Sequence, residues 1–221
     1  MNDKKWWLPW GSALCIGCAL VLGSSAAYTA GPEDTYKEAM ASYKNDDWVA
    51  AVNLLRKTAE ANYVPGMFML AYLLDQAEEN KEALTWYKKA ADMKSAEAAL
   101  GLGKMLRNPE EVEKPDPAAA AKWIQNSAEW GYPQGMLVWS RLLSNGELGV
   151  PKDQAKAVEW LNKAAEQGYT PAMSELSLAY RDGKLGLTAD PKQAAAWNTR
   201  MKETAAKQES EAKAAAEKNK P

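Results

Sequence analysis

An all-α solenoid of about four to five helix-turn-helix repeats is the fold class this sequence predicts. Three observations predict it. Trp86, Trp123, Trp160 and Trp197 stand 37 residues apart, a ladder that a residue occurring only ten times in 221 does not form by accident. Around each rung, apolar residues recur at i, i+3, i+4 and i+7, one face of an α-helix. Gly, Pro and Asp punctuate the chain at the same step. A unit of this length cannot bury its own apolar face, so neighbours must stack to make a core.

The elements follow in order. Residues 1–27 read as a signal peptide: Lys4 and Lys5, an apolar run over 6–23, then Ser25-x-Ala27 before a cut after Ala27. Two other readings stay open. The run is close to the shortest membrane span, so it also fits an uncleaved inner-membrane anchor. Gly17-Cys18 fits a lipoprotein, although Cys15 stands where a lipobox wants Leu.

The solenoid is expected over 33–198. Residues 33–44 form a first helix, with Tyr36, Ala39, Met40 and Tyr43 on one face. Asp46 or Asp47 caps the next helix at Trp48. In this shorter unit Leu54 takes the Trp place, at a step of 32 from Trp86. That is near the tetratricopeptide length of about 34. Helices follow on Met67, Leu70, Ala71 and Leu74; on Ala83, Trp86, Tyr87 and Ala90; and on Ala99, Leu102, Gly103 and Leu106. Residues 107–115 form a loop within the array. Beyond it lie Ala120, Trp123, Ile124 and Ser127; Met136, Trp139, Ser140 and Leu143; Ala157, Trp160, Leu161 and Ala164; and Met173, Leu176, Ser177 and Tyr180. The small residue third in alternate sets (Ala71, Gly103, Ser140, Ser177) lets backbones approach.

The breaks repeat too. Gly131-Tyr132-Pro133 and Gly168-Tyr169-Thr170-Pro171 place Gly where a left-handed residue ends a helix and Pro in the next first turn. Asn62 takes the Gly place in the first unit, and Lys94 takes it in the second. Asp116, Asp153 and Asp190 are N-cap residues, with Pro117 and Pro191 at N1. Residues 199–221 are Ala, Lys and Glu with little to bury. They read as a charged helical cap and a frayed tail.

Composition narrows function. With 27 basic against 29 acidic residues, no basic patch points to nucleic acid. Histidine is absent, which removes the usual general base and the commonest metal ligand. Both cysteines fall inside the predicted signal, so the mature chain has no thiol for redox or disulfide chemistry. Ser210-Glu211-Ala212-Lys213 matches Ser-x-x-Lys but lies in the charged tail, with nothing apolar to activate the lysine. The acidic pairs Asp46-Asp47, Glu78-Glu79 and Glu110-Glu111 are sequence neighbours and do not share a helical face. No catalytic residue, metal site or cofactor is expected.

The string Ala157-x-x-Trp160-x-x-Lys163-Ala164-Ala165-Glu166-Gln167-Gly168-Tyr169-x-x-Ala172 resembles the Sel-one-like repeat family. So do the linkers over 148–153 and 185–190. The resemblance covers about 46–200 and is most specific in the last two units. It implies a right-handed, tetratricopeptide-like superhelix that serves as a protein-interaction scaffold. Exported bacterial members are similar in acting as adaptors in the cell envelope. Cysteine-rich relatives linked to β-lactam binding carry a disulfide in each repeat, which this chain lacks.

The expected function is therefore an exported, non-enzymatic adaptor for envelope proteins in the periplasm. The alternative is a binder of cell-wall or another anionic polymer; a hydrolase with carboxylates assembled across repeats is the third class. Trp86, Trp123, Trp160 and Trp197 are read as core, with truncation costing about 3–5 kcal/mol. Three residues after each rung runs a cationic row, Lys57, Lys89, Lys163 and Arg200, interrupted by Asn126. It is either a binding rail for acidic partners or a set of long stems shielding Ala-rich helices. Trp130 stands where Met93 and Gln167 stand in other units; it is either a candidate partner contact or a ring packed under the loop over 107–115.

Overall fold

The computed structural model describes residues 31–218; the predicted signal segment, with both cysteines, and the last three residues lie outside them. Ten helices follow one another without a strand among the described residues: α1 (Pro32–Lys44), α2 (Trp48–Glu60), α3 (Val64–Gln76), α4 (Asn80–Asp92), α5 (Ala96–Arg107), α6 (Pro117–Glu129), α7 (Pro133–Asn145), α8 (Gln154–Glu166), α9 (Thr170–Asp182) and α10 (Pro191–Lys218). None of them is long and apolar enough to cross a membrane. Each packs chiefly on its chain neighbours. Alternate helices also meet where α3 touches α5 and α5 touches α7, so the odd-numbered helices line the inside of the bend.

The caps form where the sequence places them. Carboxylates of Asp47, Asp116 and Asp153 each accept a backbone N–H three residues on, at 2.9 to 3.0 Å. Asp190 accepts from Lys192 and Gln193. The N–H groups of Asp116, Asp153 and Asp190 donate to the carbonyls of Leu106, Leu143 and Tyr180, all at 2.8 Å, which ties each linker to the helix before it. The tight turn keeps one geometry in every unit. Asn62, Lys94, Gly131 and Gly168 all have positive φ. The following residue donates back to the carbonyl five places earlier, as Ser95 does to Ala90 at 3.0 Å. The missing Gly-Tyr of the second unit therefore does not change the pairing. Lys94 accepts the left-handed strain, and Ser95 caps α5 through its hydroxyl.

Small residues set the distances between helices. Position by position, Thr58, Ala90, Ser127 and Ala164 oppose Gly66, Ala98, Gly135 and Ala172. Glycine faces the hydroxyl residues and alanine faces alanine. A Cβ on Gly66 would sit 2.8 Å from Thr58 Cβ, and one on Gly135 would sit 2.9 Å from Ser127 Cβ. A second row joins each odd helix to the next even one. Ser140 Oγ donates to the Ala157 carbonyl at 2.7 Å, and Ser177 Oγ to that of Ala194 at 2.8 Å. In the same place, a Cβ on Gly103 would meet the Ala120 carbonyl at 3.0 Å.

Two expectations change. The tryptophan ladder is not uniformly core. All four sit on the outer helices, but Trp86 is buried at 8% exposure, beside the Arg56–Glu82 pair to which its indole N–H donates, whereas Trp123, Trp160 and Trp197 are half-buried. The centre of each unit is held instead by the smaller residues beside them, Ile124, Leu161 and their alanines. The cap also does not begin at 199. That boundary falls inside α10, a single helix that starts at Pro191, buries Ala194 and half-buries Trp197 and Met201. Gln208 Nε2 still donates to the Gly168 carbonyl at 3.1 Å. Ala, Lys and Glu propensity carries the helix on to Lys218 with nothing left to pack against.

Candidate partner-binding surface

The cationic row lies on the ladder rather than apart from it. Lys89 Nζ is 4.1 Å from the Trp86 ring centroid, Lys163 Nζ is 4.2 Å from that of Trp160, and Arg200 Cζ is 5.2 Å from that of Trp197. A spacing of three residues puts each cation over the ring before it, where the π-face attracts it. The indoles thus hold these charges at fixed heights on the outer helices. Lys57 follows Leu54 and has no ring beneath it.

Asn126 leaves Trp123 without a cation, and Trp130 fills that place. The two rings meet edge to face, centroids 6.5 Å apart at 70°. Trp130 is the C-cap residue of α6, half-buried and packed with Trp123 against the N-terminal core cluster. Its two departures from the repeat pattern are coupled: an aromatic edge substitutes for a cation. Sequence comparison exposed each anomaly separately but did not join them.

The inner face carries a groove of about 890 Å3. Leu137 and Val138 of α7 lie in it, with Lys104 and Arg107 of α5 on one side and Tyr169 at the far end. Arg141 bridges α7 to α9, its Nε donating to Glu175 at 2.6 Å. Desolvation lowers the Lys104 ammonium below the usual lysine range. Below it, burial raises the Asp75 carboxyl, with Glu111 adding to the rise. The Tyr87 hydroxyl donates to Asp75 at 3.4 Å. That contact exists because Gly101 has no side chain: a Cβ there would sit 2.7 Å from Tyr87 Cζ. Tyr169 belongs to the repeated Gly-Tyr turn; the other residues named here carried no sequence signal beyond the helix period.

The inner groove offers mixed apolar and charged contacts to a bound chain. The Ser210 hydroxyl donates to its own helix at Lys207, and Lys213 pairs with Glu209, so the Ser-x-x-Lys match is an exposed helical surface. Among the described residues, no cluster of three His, Cys, Asp or Glu is placed to hold a metal.

Stacked helical hairpins with capped linkers and a concave inner face define an α-solenoid of the interaction-scaffold class. The chain belongs to the Sel1 repeat family, whose model matches residues 64–95, 96–132, 133–169 and 170–198. The α1–α2 hairpin precedes the matched repeats and stacks on them with the shorter step. A Sel1 repeat protein from Oxalobacter formigenes has a similar structure, with 26% identity and a TM-score of 0.71 over 77% of this chain and 70% of that one. A protective antigen of uropathogenic Escherichia coli with the SLR fold matches at 26% identity and TM-score 0.65, over 82% of this chain but 42% of its own. An immunity protein from Pseudomonas aeruginosa matches at 27% and 0.58, over 78% of this chain and 65% of that one. Comparison with curated proteins gave no match. Sel1 repeats commonly mediate protein–protein interaction.

Proposed function

We propose that this protein is an exported, non-enzymatic adaptor that holds a protein partner along the inner face of its solenoid, in the cell envelope. The observation that carries the reading is the groove over α5, α7 and α9. It combines apolar Leu137, Val138 and Leu142 with Lys104, Arg107 and Arg141, on helices whose spacing is set by close small-residue contacts. A preformed surface of this kind costs little ordering on binding. Similar structures include one named an immunity protein and one named a protective antigen, and neither name is that of an enzyme. Export rests on Lys4, Lys5, the apolar run and the small residues before Tyr28.

Site-specific photo-crosslinking tests the reading. A photoreactive residue at Val138, on the inner face, is expected to capture one discrete envelope protein in cells. The same group at Glu217, on the exposed end of α10, is expected to capture none. Equal, diffuse labelling from both positions would remove the adaptor reading. Mass spectrometry of the protein recovered from cells is expected to show an N-terminus at Tyr28. Retention of residues 1–27 would replace export with anchoring.

A further inference from the structure

We infer that the outer groove between α6 and α8 is a second docking site, for a short protein segment that pairs an aliphatic or aromatic anchor with acidic flanks. The inference rests on the scaffold reading and adds to it a place and a chemistry.

The chain supplies its own comparison, because equivalent grooves lie between successive even-numbered helices. Between α2 and α4 the groove is closed by Arg56, which ion-pairs with Glu82, while Trp86 Nε1 donates to the same carboxylate at 3.1 Å. Between α4 and the loop before α6, Lys81 reaches across to Glu113 at 3.3 Å, and the space beside that pair is split between pockets of about 260 and 420 Å3. Between α6 and α8 it opens to about 650 Å3. Both closing pairs are missing there. Gln125 and Lys156 stand where Arg56 and Glu82 would be, and Ala118 and Val150 stand where Lys81 and Glu113 would be. With neither pair across it, this groove has a volume in the range of ligand sites.

The open groove has a defined chemistry. Its floor is Ala121, Trp139, Leu143, Val150 and Trp160. Its rim carries Lys122, Lys152 and Lys156. The one lining carboxylate, Asp153, is already engaged: it caps α8 through the Lys156 N–H and pairs with Lys156 Nζ at 2.9 Å. Among the described residues, Lys122 and Lys152 form no ion pair. An occupant must therefore cover an apolar floor and present negative charge at its edges. A peptide does both. A charged sugar polymer would meet the lysine rim but brings no aliphatic or aromatic anchor for the floor.

The test is selection of random dodecapeptides displayed on phage against the full-length chain, purified as the cell processes it. Enriched peptides are expected to carry Leu, Phe or Trp beside Asp or Glu. Two variants locate the site. Lys122→Glu with Lys152→Glu reverses the rim. Ala118→Lys with Val150→Glu transplants the ion pair that closes the preceding groove. Each is expected to weaken the enriched peptides at least about tenfold in fluorescence anisotropy, with an unchanged circular-dichroism melt. Peptides without acidic residues, undiminished binding to both variants, or no enrichment would overturn the proposal. So would retention by purified cell wall that the rim reversal abolishes while no peptide is selected, which would assign the groove to a polymer. Cross-linking from Val138 does not involve this groove. Its success beside a failed selection would discard the groove and keep the adaptor.

Discussion

The small-residue pairing between Ser127 and Gly135 can be tested by a double-mutant cycle, since other units of the same chain already contain the swapped combination. Gly135→Ala alone places a Cβ against Ser127, whose Cβ would be 2.9 Å away and whose carbonyl carbon 3.0 Å away. The Ser127 hydroxyl is pinned, donating to the Ala96 carbonyl at 2.6 Å, and cannot turn aside without losing that bond. Overpacking costs about 1–3 kcal/mol and the lost hydrogen bond about 1 kcal/mol. Replacing a helical glycine by alanine returns about 0.5–1 kcal/mol. The net destabilisation is about 2 kcal/mol, or a fall in Tm of about 4–8 °C for a domain of this size. Ser127→Ala alone loses only the hydrogen bond, about 1 kcal/mol. The double variant recreates the Ala90–Ala98 and Ala164–Ala172 arrangement. It trades that bond against the helix gain and should melt within about 1 kcal/mol of wild type. The coupling is then about −2 to −3 kcal/mol, read from urea titrations followed by circular dichroism and tryptophan fluorescence. Additive single effects, or a stable Gly135→Ala, would show that helix spacing in this solenoid is not set by these pairs.

Three further expectations follow from single sites. Trp86→Ala should cost about 3–5 kcal/mol, as for a buried aromatic, and Trp197→Ala should cost distinctly less because its ring is half in water; equal losses in urea melts would contradict the burial gradient along the ladder. Lys94→Gly should stabilise the chain by about 1 kcal/mol, since a non-glycine residue in the left-handed region carries a strain of about that size; a lower Tm would mean the lysine stem contributes more than the turn costs. Asp75→Asn should be the more stable form at pH 7, by a margin that partial exposure to solvent keeps small. Burial raises the Asp75 carboxyl, so its protonated form favours the fold below the ordinary carboxylate range, and that benefit is lost as pH rises through the folded value. The gap between variant and wild type in urea midpoint should therefore shrink from pH 7 to pH 4, and a gap constant with pH would refute it.

How much of this was legible in the sequence depended on whether a feature repeats. The helices, the aspartate caps and the tight turns recur at a fixed step, so a period and a few residue types specify them. The extent of burial does not follow from a period. Trp86 and Trp160 share a register and carry a lysine over the ring alike, yet only Trp86 is buried, beside an Arg56–Glu82 pair contributed by two helices. Asn126 and Trp130 are departures within one unit, and the substitution of an aromatic edge for a cation is a property of the two together. The length of α10 was hidden for the opposite reason: after Met201 it packs almost nothing, and propensity alone sets where it ends. The inner polar group of Asp75, Tyr87 and Lys104 lies on three helices and exists only because Gly101 clears the way, a relation that no local window contains.

The grooves between outer helices fall between these cases. Their lining residues sit at matching places in every unit, so the sequence holds the comparison, but only the coordinates reveal which places face each other. Once they are paired, the two losses at the α6–α8 groove carry different weight. Ala118 and Val150 in place of Lys81 and Glu113 remove an exposed ion pair worth little to the fold, at most about 1 kcal/mol. Stability therefore gives no strong reason either to keep that pair or to lose it. The charge left behind is more informative. Lys122 and Lys152 remain beside an apolar floor with the one lining carboxylate already committed to a helix cap. Lys156 is paired with Asp153, but Lys122 and Lys152 form no ion pair among the described residues, so the charge they hold beside an apolar floor is directed outward, toward an acidic chain.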